Sequence, residues 1–257
     1  MGITTTIHTD TEGAHVAEIV MANRPVNALT VAGWFDLAAQ VAEAGQNPEV
    51  GAVILRAEGK GFNAGVDIKE MQNTEGFDAL IGANKGCYDA FAAVYDCEVP
   101  VICAVHDFVI GGGIGLAGNS DIIVAAEGTS FILPEVNQGA LGAATHLARL
   151  VPQHRMREMV YTAAPIDVAL LASWGSVSRV VPTEELTGAA FEIAGSICAK
   201  SRTVIRAAKA SLNGIDPVDV KRSYRFEQGF TFELNLTGVS DEARDAFVDK
   251  SDAKFSR

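Results

Sequence analysis

The most chemically suggestive stretch of this sequence is a glycine cluster within residues 108–121, FVIGGGIGLAGNSD. Five glycines fall within eight positions there, directly after the strand-like run VPVICAV. Glycine loses more conformational entropy on folding than other residues, so such a cluster indicates that something approaches the main chain closely. A phosphate, a second strand or a charge developing on a substrate would each require that approach.

One interpretation of the cluster is a dinucleotide-binding turn. GIGLAG at 113–118 matches G-x-G-x-x-G, and Glu135 follows at about the distance of a ribose-binding acid. The context argues against it, because only a few residues separate the glycines from the next strand-like run at Asp121, whereas a βαβ crossover needs far more. The sequence also lacks a P-loop signature and a G-x-S-x-G nucleophile elbow.

Two other interpretations of the cluster remain open. Glycines at helical spacing, such as Gly115 and Gly118, let a helix pack closely on a sheet, but they do not account for three glycines in a row. An oxyanion hole does, because backbone N–H groups at a loop-to-helix junction can donate to a developing negative charge. A second donor would come from KGFNAGVDIKEM at 60–71, where a strand is predicted to end and a helix to begin.

Composition limits the class of protein. The chain has 257 residues, 48% of them hydrophobic, which is enough for one large domain or a domain with an extension. A net charge of −12 argues against nucleic-acid binding. We expect no membrane span and no signal peptide. The cysteines form no C-x-x-C pair, so we expect reduced thiols, no metal site and a cytoplasmic location; they are Cys87, Cys97, Cys103 and Cys198.

The hydrophobic pattern predicts alternating strands and helices. Strands are predicted at 15–22, 51–59, 99–108 and 121–128, and helices at 30–46 and about 77–96. Such alternation favours parallel pairing in an α/β or spiral architecture. From about residue 141 the chain is mainly helical, with a helix interrupted at Pro152, a helix leading into a short strand over 168–182, and three helical segments over 183–257.

Several stretches together carry a family resemblance: NRPVNALT, AVILRAEGKGFNAGVDIKEM, VPVICAVHDFVIGGGIGLAGNSDIIVAAEGTSFILPE and AFVDKSDAKF. In order and spacing they resemble the crotonase (enoyl-CoA hydratase/isomerase) superfamily. The resemblance implies a spiral of ββα turns over 1–182 and a helical oligomerisation region over 183–257, assembled as trimers or hexamers. The tail carries aromatic residues that one helix cannot bury alone, which agrees with subunit burial: Tyr224, Phe226, Phe230, Phe232 and Phe247.

The resemblance also implies an acyl-CoA site. The N–H groups of Val66 and Gly112 would hold the thioester oxygen. CoA would be part of the substrate, and no metal or redox cofactor is expected. The implied CoA contacts are Arg24, Lys60, Ala64, Asp67, Ile68 and Lys69.

The sequence departs from the hydratases of this family. They place one glutamate two residues after G-G-G and another in the P-E pair, whereas this chain has Gly115 and Glu135. We expect Glu135 to be a base with a pKa raised by apolar neighbours, and the space at Gly115 to admit a bulky ring. His146 is either a packed helix residue or a second polar group filling that space. Glu233 is either a surface residue or part of a tail that closes the pocket.

A subgroup of the family is more similar still. KGFNAGVDIKEM, GGGIGLAGNSD, GALGAATHLARLVPQH and YRFEQGFTFELNL resemble the ring-opening hydrolases of bacterial steroid catabolism. The resemblance implies hydrolysis of the five-membered ketone ring of a bicyclic indanedione-carboxyl-CoA by retro-Claisen cleavage. An ordinary enoyl-CoA hydratase or isomerase, and a CoA-binding scaffold with a decayed site, are the alternatives.

Overall fold

The computed structural model describes residues 2–9 and 15–248. The Phe247 side chain, and the AFVDKSDAKF stretch from residue 249 onward, lie outside the described residues. The strands are β1 (Ile3–Thr9), β2 (His15–Met21), β3 (Val50–Ala57), β4 (Val101–Val105), β5 (Phe108–Ile110), β6 (Ile122–Ala126), β7 (Ser130–Ile132), β8 (Ile166–Asp167) and β9 (Arg179–Val181).

Helices make up most of the remaining described chain. Short 3-10 helices also occur at Glu135–Gln138 and Thr183–Glu185. The α-helices are α1 (Val31–Gln46), α2 (Ile68–Asn73), α3 (Asp78–Asp96), α4 (Gly112–Asn119), α5 (Ala144–Leu147), α6 (Gln153–Thr162), α7 (Val168–Ser173), α8 (Leu186–Cys198), α9 (Arg202–Gly214), α10 (Val220–Leu236) and α11 (Val239–Val248).

Two sheets organise the fold as a spiral. The larger has the order β1-β2-β3-β4-β6-β9, and all its pairs are parallel except β1 with β2. The smaller has the order β5-β7-β8. Each of the turns β4-β5-α4 and β6-β7-α5 therefore places one strand in each sheet before its helix. This repeated ββα connection confirms the expected architecture.

The described residues confirm the main elements and correct three details. The predicted strand 99–108 is two strands, β4 and β5, which belong to different sheets. The short strands β7 and β8 and the N-terminal β1 were not predicted, and β1 makes the large sheet mixed rather than wholly parallel. Residues 183–248 contain four α-helices, not three. Pro152 does separate two helices, α5 and α6.

Helices cover both faces of the large sheet. On one face, Trp34, Leu37 and Val41 point from α1 into a core shared with α3. On the other, Ala190 and Ala194 of α8 pack against the sheet. Helix α8 thus buries the second face of the large sheet. In the described residues no helix is both long and apolar enough to cross a membrane.

Candidate active site

A cavity of about 160 Å³ opens where the two sheets meet the C-terminal helices. Its walls come from 64–68, from 110–112, from the loop 134–143, from α3 and from α10 and α11. Most of the lining is apolar, as in typical small-molecule sites. Among the described residues, the charged side chains of the lining are Glu135 and Arg244.

The Val66 N–H faces this cavity because both neighbouring peptide groups are bound on the opposite side. Leu29 N–H donates to Gly65 O, and Asp67 N–H donates to Leu29 O, each over 2.9 Å. In such an extended bridge the intervening residue presents its own N–H away from the partner strand. In the described structure, the Val66 N–H has no acceptor. It is therefore free to bind a ligand oxygen.

The Gly112 N–H lies beside the first donor. Gly112 is the first residue of α4, where backbone N–H groups have no intrahelical acceptor. A Cβ on Gly65 would stand 3.1 Å from the Gly112 nitrogen. The loop and the helix start are thus in contact, and both donors line the same cavity. Two such N–H groups can each donate a hydrogen bond to an oxygen of a ligand bound in the cavity.

Each glycine of the triplet is required by a different neighbour. Gly111 has φ +54°, and a Cβ there would lie 2.6 Å from Oε1 of Glu135. A Cβ on Gly112 would lie 2.8 Å from the Trp34 ring, and one on Gly113 would lie 2.6 Å from the Asn63 carbonyl oxygen. The run of three glycines therefore reflects three separate close approaches, one of them to the carboxylate.

Two buried asparagines fix the loop that carries Val66. The Asn27 amide donates to the carbonyl oxygens of Glu58 and Gly61, each at 2.8 Å. The Asn63 amide donates to the Asn27 carbonyl at 2.6 Å, and its Oδ1 accepts from the Gly65 N–H at 2.8 Å. Neither asparagine was predicted as part of the site. Asn63 stands in the visible N-A-G run, but its partner Asn27 lies 36 positions away in the sequence.

Glu135 begins the 3-10 helix that follows β7. Its Oε2 atom is buried and has no hydrogen-bond partner among the described residues. The pKa of Glu135 is raised to about 8, mainly by burial; a hydrogen bond with its own backbone N–H opposes the shift, and the charge of Glu227 adds a smaller increase. A carboxylate with an unpartnered oxygen and a pKa near neutrality is suited to accept a proton.

Glu227 is a half-buried carboxylate that was not predicted as a site residue. It lies on α10 and accepts hydrogen bonds from the Ala144 N–H at 3.1 Å, the Thr145 N–H at 2.5 Å and the Thr145 hydroxyl. Thr231, one turn later, both donates to the Leu141 carbonyl and accepts from its N–H. Helix α10 therefore holds the cavity loop 139–145 in place. The i, i+4 spacing of Glu227 and Thr231 is the sequence signal that could have identified this pair.

The expected space at Gly115 is absent, which corrects the sequence analysis. A Cβ on Gly115 would lie 2.2 Å from the Phe91 ring. Phe91 lines the cavity, whereas Gly115 and His146 do not. The Phe91 ring thus fills the volume in which a bulky ring or a second polar group was expected.

His146 packs behind Phe91, with the two ring centroids 4.9 Å apart, and not in the cavity. Its Nδ1 lies 2.9 Å from the Asn119 amide nitrogen. Burial lowers the pKa of His146 to about 3, with a smaller contribution from the charge of Arg149. The histidine is therefore neutral and buried, which corresponds to the packed-residue alternative.

The remaining predicted site residues divide between the cavity and the surface. Ala64 and Ile68 line the cavity. Asp67 caps α2 by accepting a hydrogen bond from the Lys69 N–H at 2.9 Å. Glu233 is exposed on α10 and does not line the cavity, because the inward face of that helix carries Tyr224, Thr231 and Asn235. The cationic side chains are exposed at the surface: Arg24, Lys60 and Lys69.

Comparison with known proteins agrees with this geometry. A family model described as "Enoyl-CoA hydratase/isomerase" matches residues 11–257. The chain belongs to this family. A crystal structure of an enoyl-CoA hydratase from Mycobacterium avium subsp. paratuberculosis K-10 superposes with a TM-score of 0.86 over 100% of this chain and 99% of that one; at 21% identity it supports the fold alone.

Two relatives within the family are much more similar in sequence. Both are named "(7aS)-7a-methyl-1,5-dioxo-2,3,5,6,7,7a-hexahydro-1H-indene-carboxyl-CoA hydrolase". The protein from Rhodococcus jostii is 60% identical over 97% of this chain and 95% of its own length. The protein from Mycobacterium tuberculosis is 64% identical over 88% of this chain and 92% of its own length.

Proposed function

We propose that this enzyme opens the five-membered ketone ring of a hexahydroindene-dione carboxyl-CoA by hydrolysis of a carbon–carbon bond. The observation that carries the proposal is the pairing of one unpartnered carboxylate oxygen, on Glu135, with two free N–H donors in a single cavity. Phe91 fills the place of a second catalytic glutamate. The names of the two most similar relatives reported above support the choice of substrate.

The chemistry of that substrate explains why one carboxylate is enough. The name has ketones at C1 and C5, and its hydrogenated positions leave one ring double bond, C3a=C4. C3a has no free valence, so a thioester conjugated with the double bond is carried on C4. A carbanion at C7a is then conjugated through C3a=C4 with the thioester carbonyl. Breaking the C1–C7a bond is therefore a vinylogous retro-Claisen cleavage.

The residues of the cavity supply each step. The Glu135 carboxylate accepts a proton from water while the water oxygen adds to C1. Collapse of the adduct breaks the C1–C7a bond and leaves C1 as a carboxylic acid. The electron pair moves through C3a=C4 to the thioester oxygen, to which Val66 and Gly112 donate. Glu135 then returns its proton to the carbon skeleton, so one water is added and the thioester is retained.

Substrate binding follows from the same segments. Ala64 and Ile68 contact the acyl end of CoA, and Asp67 holds the start of α2 beside it. The exposed cations Arg24, Lys60 and Lys69 bind the nucleotide and phosphate end of CoA. Asn27 supports this arrangement because its amide joins the turn that follows Arg24 to the loop that contains Lys60. CoA is part of the substrate, and the proposed steps use no metal or redox cofactor.

The test is turnover of the dioxo-hexahydroindene-carboxyl-CoA, followed by mass spectrometry, with crotonyl-CoA in parallel. We expect the mass to increase by one water with the thioester intact. Glu135→Gln should lower kcat by about 1,000-fold, consistent with loss of a general base. The matched control, Glu233→Gln, removes an exposed carboxylate of α10 and should change kcat less than about twofold.

Other outcomes of this experiment have distinct meanings. Hydration of crotonyl-CoA without ring opening would identify an ordinary hydratase. Release of free CoA would identify a thioesterase. Unchanged turnover in Glu135→Gln would remove Glu135 from the mechanism, and failure on every CoA ester would favour a scaffold protein.

We also propose that the enzyme is a cytoplasmic homo-oligomer, a trimer or a hexamer. The described C-terminal region exposes large apolar side chains: Phe226 on α10 is 71% accessible, and Ile215, directly after α9, is 74% accessible. Clustered exposed apolar residues mark interaction surfaces. Cys87, Cys97 and Cys103 are buried free thiols, as expected for a reducing compartment.

A further inference from the structure

The intermediate proposed above carries negative charge on two oxygens. C4 bears the thioester and is bonded to C5, which is a ketone. The electron pair released at C7a therefore reaches the C5 oxygen as well as the thioester oxygen. The Val66 and Gly112 N–H groups converge on only one of them. Because enolate charge left unpaired in an apolar cavity is costly, the second oxygen needs a donor of its own.

Arg244 is the one cationic side chain that lines the cavity within the described residues. It projects from α11, and only 18% of its side chain is exposed. Its Nη1 donates to Asn235 Oδ1 at 2.7 Å, and its Nη2 donates to Asp241. A guanidinium has five N–H donors in a planar fork, so donors remain for a ligand after these bonds are made.

The Arg244 backbone is also hydrogen-bonded to the segment that carries Val66 and α2. Its carbonyl oxygen accepts a hydrogen bond from the Gln72 side chain at 3.2 Å, and Gln72 lies on α2, the helix that follows Val66. Arg244 forms no ion pair with Glu135; its carboxylate partner is Asp241. The guanidinium is thus held in position without neutralising the base.

We propose that Arg244 donates a hydrogen bond to the C5 ketone oxygen and stabilises the second enolate oxygen of the intermediate. The inference rests on the proposed function, which supplies the substrate. It makes Arg244 a catalytic and specificity-determining residue for substrates with a ketone β to the thioester. A simple enoyl-CoA has no oxygen at that position and gains nothing from Arg244.

The test uses acetoacetyl-CoA, the smallest thioester with a β-ketone, because its enolate absorbs in the near ultraviolet and its keto form does not. We expect the native enzyme to increase the enolate band on binding, and Arg244→Met to reduce the bound enolate fraction about 10- to 100-fold, as for loss of a charge-assisted hydrogen bond. Arg244→Lys keeps the positive charge but not the planar set of N–H donors. Its bound enolate fraction should lie between those of the native enzyme and Arg244→Met.

Two controls separate this role from structural support. Butyryl-CoA lacks the ketone, so its dissociation constant should change less than about twofold in Arg244→Met. Arg222→Met removes an exposed arginine of α10 outside the cavity and should leave the enolate band unchanged. An unchanged band in Arg244→Met, or an equal loss of butyryl-CoA affinity, would overturn the proposal.

Ring opening of the bicyclic substrate is measured in the same variants. We expect kcat/KM to fall about 10- to 100-fold in Arg244→Met. Ring opening that is unaffected by Arg244→Met would refute the Arg244 assignment and leave the proposed function standing. An enolate band that depends on Arg244, in an enzyme that does not open the ring, would refute the proposed function and leave the assignment standing.

Discussion

At the scale of single residues, the protonation state of Glu135 should control the rate. Its pKa is raised to about 8. The carboxylate is the active form, so kcat/KM should fall tenfold per pH unit below about pH 8 and level off above it. A pH–rate profile for ring opening measures this acidic limb, the fall in kcat/KM below about pH 8, directly. A kcat/KM that does not change between pH 6 and pH 9 would contradict the assignment of Glu135 as the base.

The neighbouring carboxylate, Glu227, offers a second test of the acidic limb of the pH–rate profile. The negative charge of Glu227 raises the pKa of Glu135, so Glu227→Gln should move the acidic limb to lower pH. The matched control, Glu233→Gln, changes an exposed carboxylate on the same helix and should leave the limb where it is.

At the scale of elements, the start of α4 lies against the 3-10 helix that begins at Glu135, with Gly111 at the point of contact. Gly111→Ala would place a Cβ 2.6 Å from Glu135 Oε1 at φ +54°. We expect a loss of about 1–3 kcal/mol of folding stability from the strained backbone and a loss of most ring-opening activity, because the carboxylate must move. Chemical denaturation and steady-state kinetics measure the two effects.

A second glycine separates backbone strain from displacement of the carboxylate. Gly128 also has a positive φ, +73°, but a Cβ there would meet nothing within 4 Å. Gly128→Ala should therefore cost similar stability and leave kcat almost unchanged. If both variants lose activity equally, the contact between Gly111 and Glu135 is not the cause.

At the scale of the whole molecule, an ion pair between a buried lysine and a partly exposed aspartate joins the helical region to the sheet. The Lys209 ammonium on α9 donates to both carboxylate oxygens of Asp121, at 2.8 and 2.7 Å, and only 3% of the Lys209 side chain is exposed. Asp121 also accepts from the Val101 N–H at the start of β4. These contacts give Asp121 a structural role.

Removing one partner of that pair should be destabilising. Lys209→Met removes the cation from a carboxylate that still reaches solvent, and we expect a loss of about 1–3 kcal/mol in the free energy of unfolding. The double variant Lys209→Met with Asp121→Asn should recover part of the loss, as measured by urea denaturation. Additive losses in the double variant would show that the two side chains do not interact.

Assembly is also a property of the whole molecule. We expect light scattering to give a mass of about three or six times the 27.0 kDa of one chain. Phe226, whose ring packs edge-on against Phe230, should be covered in the assembly, so Phe226→Asp should shift the distribution to smaller particles. Tyr161→Asp, at an equally exposed aromatic of α6, is the control. A monomeric native protein would contradict the proposal.

Local sequence signals were sufficient where the determining contacts are local or repetitive. Hydrophobic periodicity predicted β2, β3, β6, α1 and α3, because burial of one face imposes that pattern. It did not predict β7 and β8, which have only two or three residues and depend on pairing partners elsewhere in the chain. The stretch 99–108 was predicted as one strand because only two residues, His106 and Asp107, separate β4 from β5.

The sequence by itself determined the family, the glycine-bearing segments around Val66 and Gly112, and Glu135, because these signals lie in short contiguous motifs. Only the tertiary structure decided what surrounds them. It placed Phe91 against Gly115, neutral His146 behind that ring, Glu233 at the surface, and Arg244 in the cavity wall. These outcomes depend on contacts between distant segments, and such contacts leave no periodic trace in one sequence.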